Sequence, residues 1–342
     1  MSQLQVTADD PAERFIRRQT PLQRIHHVLN TYPAISPAIV LIVACVVFGL
    51  VNPRFFRPEN LSLIGQQVAV VGALAVGQTL IIMTAGIDLS VGAVMVFTSI
   101  AMAGSVVNLG LPGPAALVVG LVVGTLAGGI NGVLVTKLRL PPFIVTLGTL
   151  NIFLALTLLY SGGQTIQSQD LPDILLWTGQ AIDIGSFRIT TGVLVMLAMY
   201  AVMSYVLKNT AWGKHVYATG DDREAARLAG IAVTRILVSV YLVAGLVYAI
   251  AAWILIGRVG AASPNAGSDA NLDSITAVVI GGTSLFGGRG IIVGSLLGAL
   301  IVGVFRNGLA LAGVAVLWQT LVVGLLVIIA VATDQWIRRV RA

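Results

Sequence analysis

Charged side chains are scarce in this sequence. Asp, Glu, Lys and Arg together make 10% of its 342 residues, where a soluble domain carries about 25%. So few charges cannot cover a water-facing surface, which excludes soluble enzymes and disordered tails. The single cysteine, Cys45, lies inside an apolar run and forms neither an intrachain disulfide nor a thiolate metal cluster. His26, His27 and His215 make no ligand set, so no metal site is expected. The formal charge of +6 is spread through short loops, as a membrane topology signal is, so nucleic acid is not an expected partner. The first 36 residues are polar and Arg-rich and no small-residue cleavage site follows a short apolar region, so no cleavable signal is expected.

What is abundant is apolar surface, at 57% of the residues. Uncharged runs cover 25–53, 60–87, 89–136, 140–169, 189–207, 236–257, 274–288, 290–305 and 307–333. A span needs about 20 apolar residues, so the third run holds two, divided by the turn Asn108-Leu-Gly-Leu-Pro-Gly-Pro114. Ten spans are predicted, at 36–52, 62–85, 89–107, 114–136, 142–161, 189–207, 236–257, 272–286, 290–308 and 314–333. The expected fold class is an all-α polytopic membrane protein of about ten transmembrane helices. A cytoplasmic segment over 1–35 precedes the membrane domain of 36–333, and a cytoplasmic tail over 334–342 follows.

An even number of spans puts both termini on one side. With both inside, fifteen of the 20 Lys and Arg are inner, and Arg54, Arg57, Arg188, Arg258 and Arg306 are outer. The positive-inside rule selects that orientation. Trp212 and Trp336 near inner span ends, and Trp177 in the outer loop, fit interfacial anchoring. Gly120, Gly124, Gly128 and Gly132 recur every fourth residue in the fourth span, and Gly290, Gly294 and Gly298 in the ninth. In lipid, small residues at that spacing let backbones approach, so both ladders are expected at helix contacts. Spans five apart run in opposite directions, which points to an inverted five-plus-five repeat.

Three stretches carry a resemblance: Gly86-Ile-Asp-Leu-Ser-Val-Gly92, Pro141-Pro-Phe-Ile-Val-Thr-Leu-Gly-Thr149, and Ala277-Val-Val-Ile-Gly-Gly-Thr-Ser-Leu-Phe-Gly-Gly-Arg-Gly290. Together with Asn131-Gly132 and Asn307-Gly-Leu309, they are similar to the ribose-type sugar permeases of bacterial ABC importers, from about residue 38 to 333. The resemblance implies a multi-pass inner-membrane permease working as a dimer, with a cytoplasmic ATPase below and a periplasmic sugar-binding protein above. No cofactor is expected in this chain, and ATP and magnesium belong to the partner ATPase.

The longest inner loop, 208–235, contains Glu224-Ala-Ala-x-x-x-Gly230, similar to the E-A-A-x-x-x-G coupling motif of ABC permeases. Asp221 or Asp222 can cap a short helix there, Ala225, Ala226 and Ala229 favour helix and close docking, and Gly230 supplies the stop. Gly213, Asp221, Glu224, Ala225, Ala226, Arg227, Gly230 and Ile231 are the expected coupling residues. The bland alternative is a basic inner loop obeying the charge rule.

Asp88 is the only acid between Glu59 and Asp170. It has two readings: a break between half-helices where Thr84, Asp88 and Ser90 line a sugar path, or, preferred, a carboxylate at the inner interface capping the third span. Asn131, Thr146, Thr149, Asn151, Thr283, Ser284 and Asn307 either offer hydrogen bonds along that path or tie helices together. Gly282-x-x-x-x-Gly287 is followed by Gly288-Arg289 without Lys-Ser or Lys-Thr, so it is no phosphate loop and the chain is not an ATPase. In the outer loop 162–188, Asp170, Asp173 and Asp183 outnumber Arg188 and are candidates for docking the binding protein. Phe15, Ile16, Leu22, Ile25 and Leu29, set among arginines, read as an interfacial helix.

The expected function is the permease subunit of an ABC importer for a monosaccharide delivered by a periplasmic binding protein. Ribose-type members carry Glu-Leu-Asp where this chain has Asn271-Leu272-Asp273, and Asn271-Leu-Asp-Ser-Ile-Thr276 looks closer to fructose-type relatives. The alternative is an ion-coupled secondary transporter, which needs intramembrane acids; the spans supply little beyond Asp88.

Overall fold

The structure, a computed structural model, describes residues 34–267 and 269–341. The expected interfacial helix around Phe15 to Leu29 lies outside the described residues. The apolar runs fold into α1 (Ile35–Val51), α2 (Pro58–Met83), α3 (Val91–Val107), α4 (Gly113–Lys137) and α5 (Pro142–Ser161). Proline in the first turn starts α2, α4 and α5, where its missing N–H costs nothing. Gly162, in a left-handed conformation, ends α5.

Between α5 and the next long helix lie β1 (Ile166–Gln167), the short α6 (Asp173–Leu176) and a hairpin of β2 (Ala181–Ile184) and β3 (Phe187–Thr190). Then come α7 (Thr191–Asn209), α8 (Ala211–Asp221), α9 (Arg223–Leu228) and α10 (Val233–Val259). β4 (Ala261–Ala262), α11 (Ala270–Ile280), α12 (Ile292–Leu311) and α13 (Val316–Arg341) complete the order. β1 pairs antiparallel with β4, and β2 with β3. The fold is mostly helical, as expected, and these two small sheets add local structure within the 162–188 loop and beside it, at 189–190 and 261–262.

Among the described residues six helices, α2, α4, α5, α7, α10 and α12, are long and apolar enough to cross a membrane by length and composition, and shorter apolar helices fall at 35–51, 91–107, 270–280 and 316–326. Three expected boundaries move. The eighth segment, placed at 272–286, stops at Ile280, because Gly281 opens a glycine-rich turn. Gly290 has φ 154 and precedes α12, so the second glycine ladder begins at Gly294. The last helix runs to Arg341 through the expected tail.

α2 is the centre of the bundle, with 83% of its apolar window buried, against 28% for α5. Close backbone approach holds the interior together. A Cβ on Gly128 would collide with the Tyr241 carbonyl of α10, and one on Gly124 would come 2.8 Å from both Ala249 Cβ and Gly245 O. Likewise Gly298 leaves no room for a Cβ beside the Ala277 carbonyl of α11. Both ladders therefore sit at helix contacts, where dispersion rather than water exclusion stabilises packing.

The helix pairings repeat. α4 packs on α10 as α12 packs on α2, α3 on α4 as α11 on α12, α3 on α5 as α11 on α13, and α3 on α10 as α11 on α2. The outermost helices break the pattern, since α1 packs on α12 while α7 packs on α2.

Candidate functional site

The α2–α3 break gathers several buried polar side chains inside the bundle. α2 ends at Met83, Ala85 turns back with φ 56, and Gly86 N–H reaches Ile81 O at 3.0 Å. A Cβ on Gly86 would lie 3.2 Å from that carbonyl, so glycine permits the tight return. Asp88, only 1% exposed, accepts hydrogen bonds at Oδ1 from Ser90 N at 2.7 Å and Ser90 Oγ at 2.6 Å. Asn131 of α4 donates from Nδ2 to Ser90 Oγ at 2.8 Å. Thr146 of α5 accepts from Leu89 N at 3.0 Å, and its hydroxyl stands 3.1 Å from Ile87 O and 3.0 Å from Pro142 O. The four elements α2 to α5 thus converge on the seven-residue turn 84–90.

Two members of this cluster carry no signal in the sequence. Tyr248 of α10 places its hydroxyl 3.3 Å from Asp88 Oδ2 and 3.4 Å from Gln78 Oε1 of α2. Among the described residues, Gln78 Nε2, Asn131 Oδ1 and Tyr241 OH are buried without a partner. Buried amide and hydroxyl atoms left unpaired cost about 1–3 kcal/mol each, so this region retains unused capacity to bind a polar group.

The preferred cap reading of Asp88 is corrected. Its carboxylate bonds Ser90, the N-cap residue itself, and the group is buried rather than interfacial. The amide that a cap would serve, Gly92 N–H in the first turn of α3, goes to Asn271 Oδ1 of α11 at 2.5 Å. Glycine at 92 permits this bond, because a Cβ would sit 2.6 Å from that oxygen and push the Asn271 side chain away. The starts of α3 and α11 therefore meet.

The remaining polar candidates separate. Thr84 Oγ1 donates to Ile81 O at 2.9 Å at the α2 terminus, and Thr149 bonds Thr146 O at 3.3 Å. Asn151 is exposed on another face of α5, bonded to Leu147 O. Asn307 of α12 exchanges two 2.9 Å amide hydrogen bonds with Asn60 of α2, which makes it a helix tie. Thr283 and Ser284 are buried in the turn after α11, where Ser284 N–H bonds Arg289 O at 3.0 Å. Thr84, Asp88, Ser90, Asn131, Thr146 and Thr149 are brought to the break and its flanks; Asn151 and Asn307 are not.

A second buried acid emerges. Asp273 of α11 is buried and pairs with Arg306 of α12 at 2.8 Å, with Asp269 at 3.4 Å from the same guanidinium. It falls inside the expected eighth span and is already neutralised by its ion pair, so it adds little free acid beyond Asp88.

In the 208–235 segment, Thr210 Oγ1 accepts from Gly213 N at 3.2 Å and starts α8. Asp222, not Asp221, caps α9, accepting from Glu224 N at 2.8 Å and Ala225 N at 3.0 Å. Asp221 instead ends α8 against Gly288. Gly230, at φ 84, terminates the segment with Ile231 N–H on Ala226 O. Glu224 and Arg227 pair in solvent at 2.5 Å, Ala225 is exposed, Leu228 is 80% exposed, and Ala226 alone of α9 is buried.

This segment is fastened to the α2 terminus. Arg223 Nη2 donates to Thr84 O at 2.9 Å, and Gly288 N–H of the α11–α12 turn to Met83 O at 3.0 Å. Gly220 lies so near the Met83 carbonyl that no Cβ fits. Tyr217 OH, whose pKa burial pushes up so that it stays a donor, bonds Gly290 O at 2.9 Å. Between α5 and α7, Asp183 pairs with Arg188 at 2.7 Å across the hairpin, Asp170 is exposed and Asp173 opens α6.

Residues 60–331 match the family described as "Branched-chain amino acid transport system / permease component". The chain is 53% identical over 328 residues to the fructose import permease protein of Rhizobium meliloti, covering 95% of this chain and 91% of that one. It is 39% identical to the ribose import permease protein of Bacillus subtilis, covering 93% and 97%. With the D-allose transport system permease protein of Escherichia coli it shares 32%, covering 88% and 91%.

Proposed function

The chain belongs to this family of transport-system permease components, and from that membership we propose that it is the transmembrane subunit of an inner-membrane ABC importer for a monosaccharide, fructose foremost. The observation that carries the substrate is the 53% identity to a fructose import permease across 95% of the chain. The family description names amino acids, but the ribose and allose relatives, at 39% and 32%, are also sugar permeases. Sugar is the common term among them.

The geometry supports a conduit driven from outside itself. The ten apolar helices act as ten spans with both termini cytoplasmic, and the repeated pairings follow from an inverted five-plus-five repeat. Two copies enclose the path, and a periplasmic sugar-binding protein docks on the 162–188 face. The 208–235 segment projects α9, with Glu224, Arg227 and Leu228 exposed, into a cytoplasmic ATPase that holds ATP and magnesium. When that ATPase moves α9, Arg223 and Gly220 carry the displacement to Thr84 and Met83 at the end of α2, four and five residues from Asp88. The polar turn there then exchanges its internal hydrogen bonds for sugar hydroxyls, each weak enough for release.

The test is uptake of radiolabelled fructose, ribose and allose by proteoliposomes holding this chain, the neighbouring ATPase and the binding protein. ATP-dependent fructose accumulation that persists with a proton ionophore is expected. Uptake that needs no ATPase and collapses with the ion gradient would sink the proposal in favour of ion-coupled transport.

A further inference from the structure

We propose that the cleft at the cytoplasmic end of α4, closed by the α4–α5 turn and the start of α10, binds the phosphate headgroup of an anionic phospholipid of the inner leaflet. The proposal rests on the orientation given above, which places this end of the bundle at the cytoplasmic interface. The cleft holds about 320 Å³ and is lined by Thr136, Arg139, Arg223 and Thr234 with apolar neighbours, and no acid lines it. Its two guanidinium groups are therefore uncompensated within the cleft.

Neither arginine is exhausted by internal contacts. Among the described residues Arg139 makes no hydrogen bond or ion pair. Arg223 commits Nη2 to Thr84 O and has further N–H groups to offer. Pro142 and Val233, the first residues of α5 and α10, also line the cleft. Two helix N-termini thus add their positive ends to the two side-chain charges. Thr136 gives its hydroxyl hydrogen to Gly132 O at 2.7 Å, whereas no bond holds the Thr234 hydroxyl among the described residues.

The rim fixes the kind of anion. Leu138, Phe143 and Ile144 beside the cleft are each at least half exposed. An occupant must be anionic where it meets Arg139 and apolar where it meets those side chains. A phospholipid with a net negative headgroup has that form, and basic pockets between helices at a cytoplasmic interface select such lipids. Since Arg223 also holds the α2 terminus, a bound headgroup steadies the 208–235 segment against the bundle and links transport to inner-leaflet composition.

The test is native mass spectrometry of the full-length chain in neutral detergent, offered palmitoyl-oleoyl phosphatidylglycerol, the matching phosphatidylcholine, or inorganic phosphate. Phosphatidylglycerol should be retained preferentially. Arg139→Gln should cut that retention about fivefold, the factor one basic group near an anionic surface supplies, while Arg139→Lys keeps most of it and phosphatidylcholine is unaffected. Should Arg139→Gln fail to elute as a folded species, Thr234→Val, expected to lower retention about twofold, gives the same reading. Equal retention by wild type and variants overturns the site. So do inorganic phosphate adducts as abundant as the lipid's, which mark a free-anion site, and displacement of the lipid by equimolar ATPase subunit, which marks a protein interface. Sugar uptake by the wild-type assembly is measured separately, so failure of the transport reading is told apart from failure of the lipid site.

Discussion

Asp88 shows how much a single residue's meaning depends on its partners. Its rarity as an acid in a long uncharged stretch marks it in the sequence, but its bonds to Ser90 and its approach to Tyr248, separated by 160 positions, come from the fold. Asp88→Ala removes the acceptor of two Ser90 bonds inside the bundle and should destabilise the purified chain by about 1–3 kcal/mol. Asp88→Asn, which keeps an acceptor oxygen, should retain most of that stability. The thermal unfolding midpoint in detergent distinguishes the two. Asn271→Ala, which strips the acceptor from Gly92 N–H, should cost a similar amount and lower uptake, because it frees the start of α3 from α11. Gln78 and Tyr248 escaped sequence reading because an isolated polar side chain in an apolar run has no spacing that reveals what it faces.

At the scale of elements, the ladder of Gly120, Gly124, Gly128 and Gly132 was legible, since a four-residue period places small residues on one helix face. Its partner, Gly245 on α10, was not, because no four-residue period marks it; the other glycine of that helix is Gly257. Gly128→Leu drives a side chain into the Tyr241 carbonyl and should cost about 1–3 kcal/mol or prevent insertion, read as loss of monodisperse protein on size exclusion. The 208–235 segment was also legible, from Glu224-Ala-Ala to Gly230. What escaped was its anchorage, because Arg223 meets Thr84 O across 139 positions. Arg223→Gln should leave co-purification of the ATPase intact and lower sugar uptake per ATP hydrolysed several-fold, with Arg223→Lys in between. Glu224→Lys should instead weaken co-purification itself. If Arg223→Gln lowers both properties together, the arginine belongs to the docking face rather than to the link.

For the whole molecule, the orientation can be read with the chain's own scarcity of cysteine. In a Cys45→Ser background, a membrane-impermeant maleimide should label Gly185→Cys in intact spheroplasts and Leu228→Cys only after lysis. The reverse pattern would invert the topology. That this is a membrane chain of apolar helices follows from the residues alone, because it depends on local composition summed over a span, and the charge asymmetry supplies the orientation that the labelling tests. The short helix over 223–228 was legible in the residues too, since a capped helix is a local pattern. Packing in three dimensions was needed to show that the starts of α3 and α11 meet, that Asp88 is shut inside rather than capping at an interface, and that Asn307 ties α12 to α2. Those outcomes rest on hydrogen bonds between segments remote in the chain, and in a bundle where apolar residues face both lipid and protein, composition does not say which face a polar group will find.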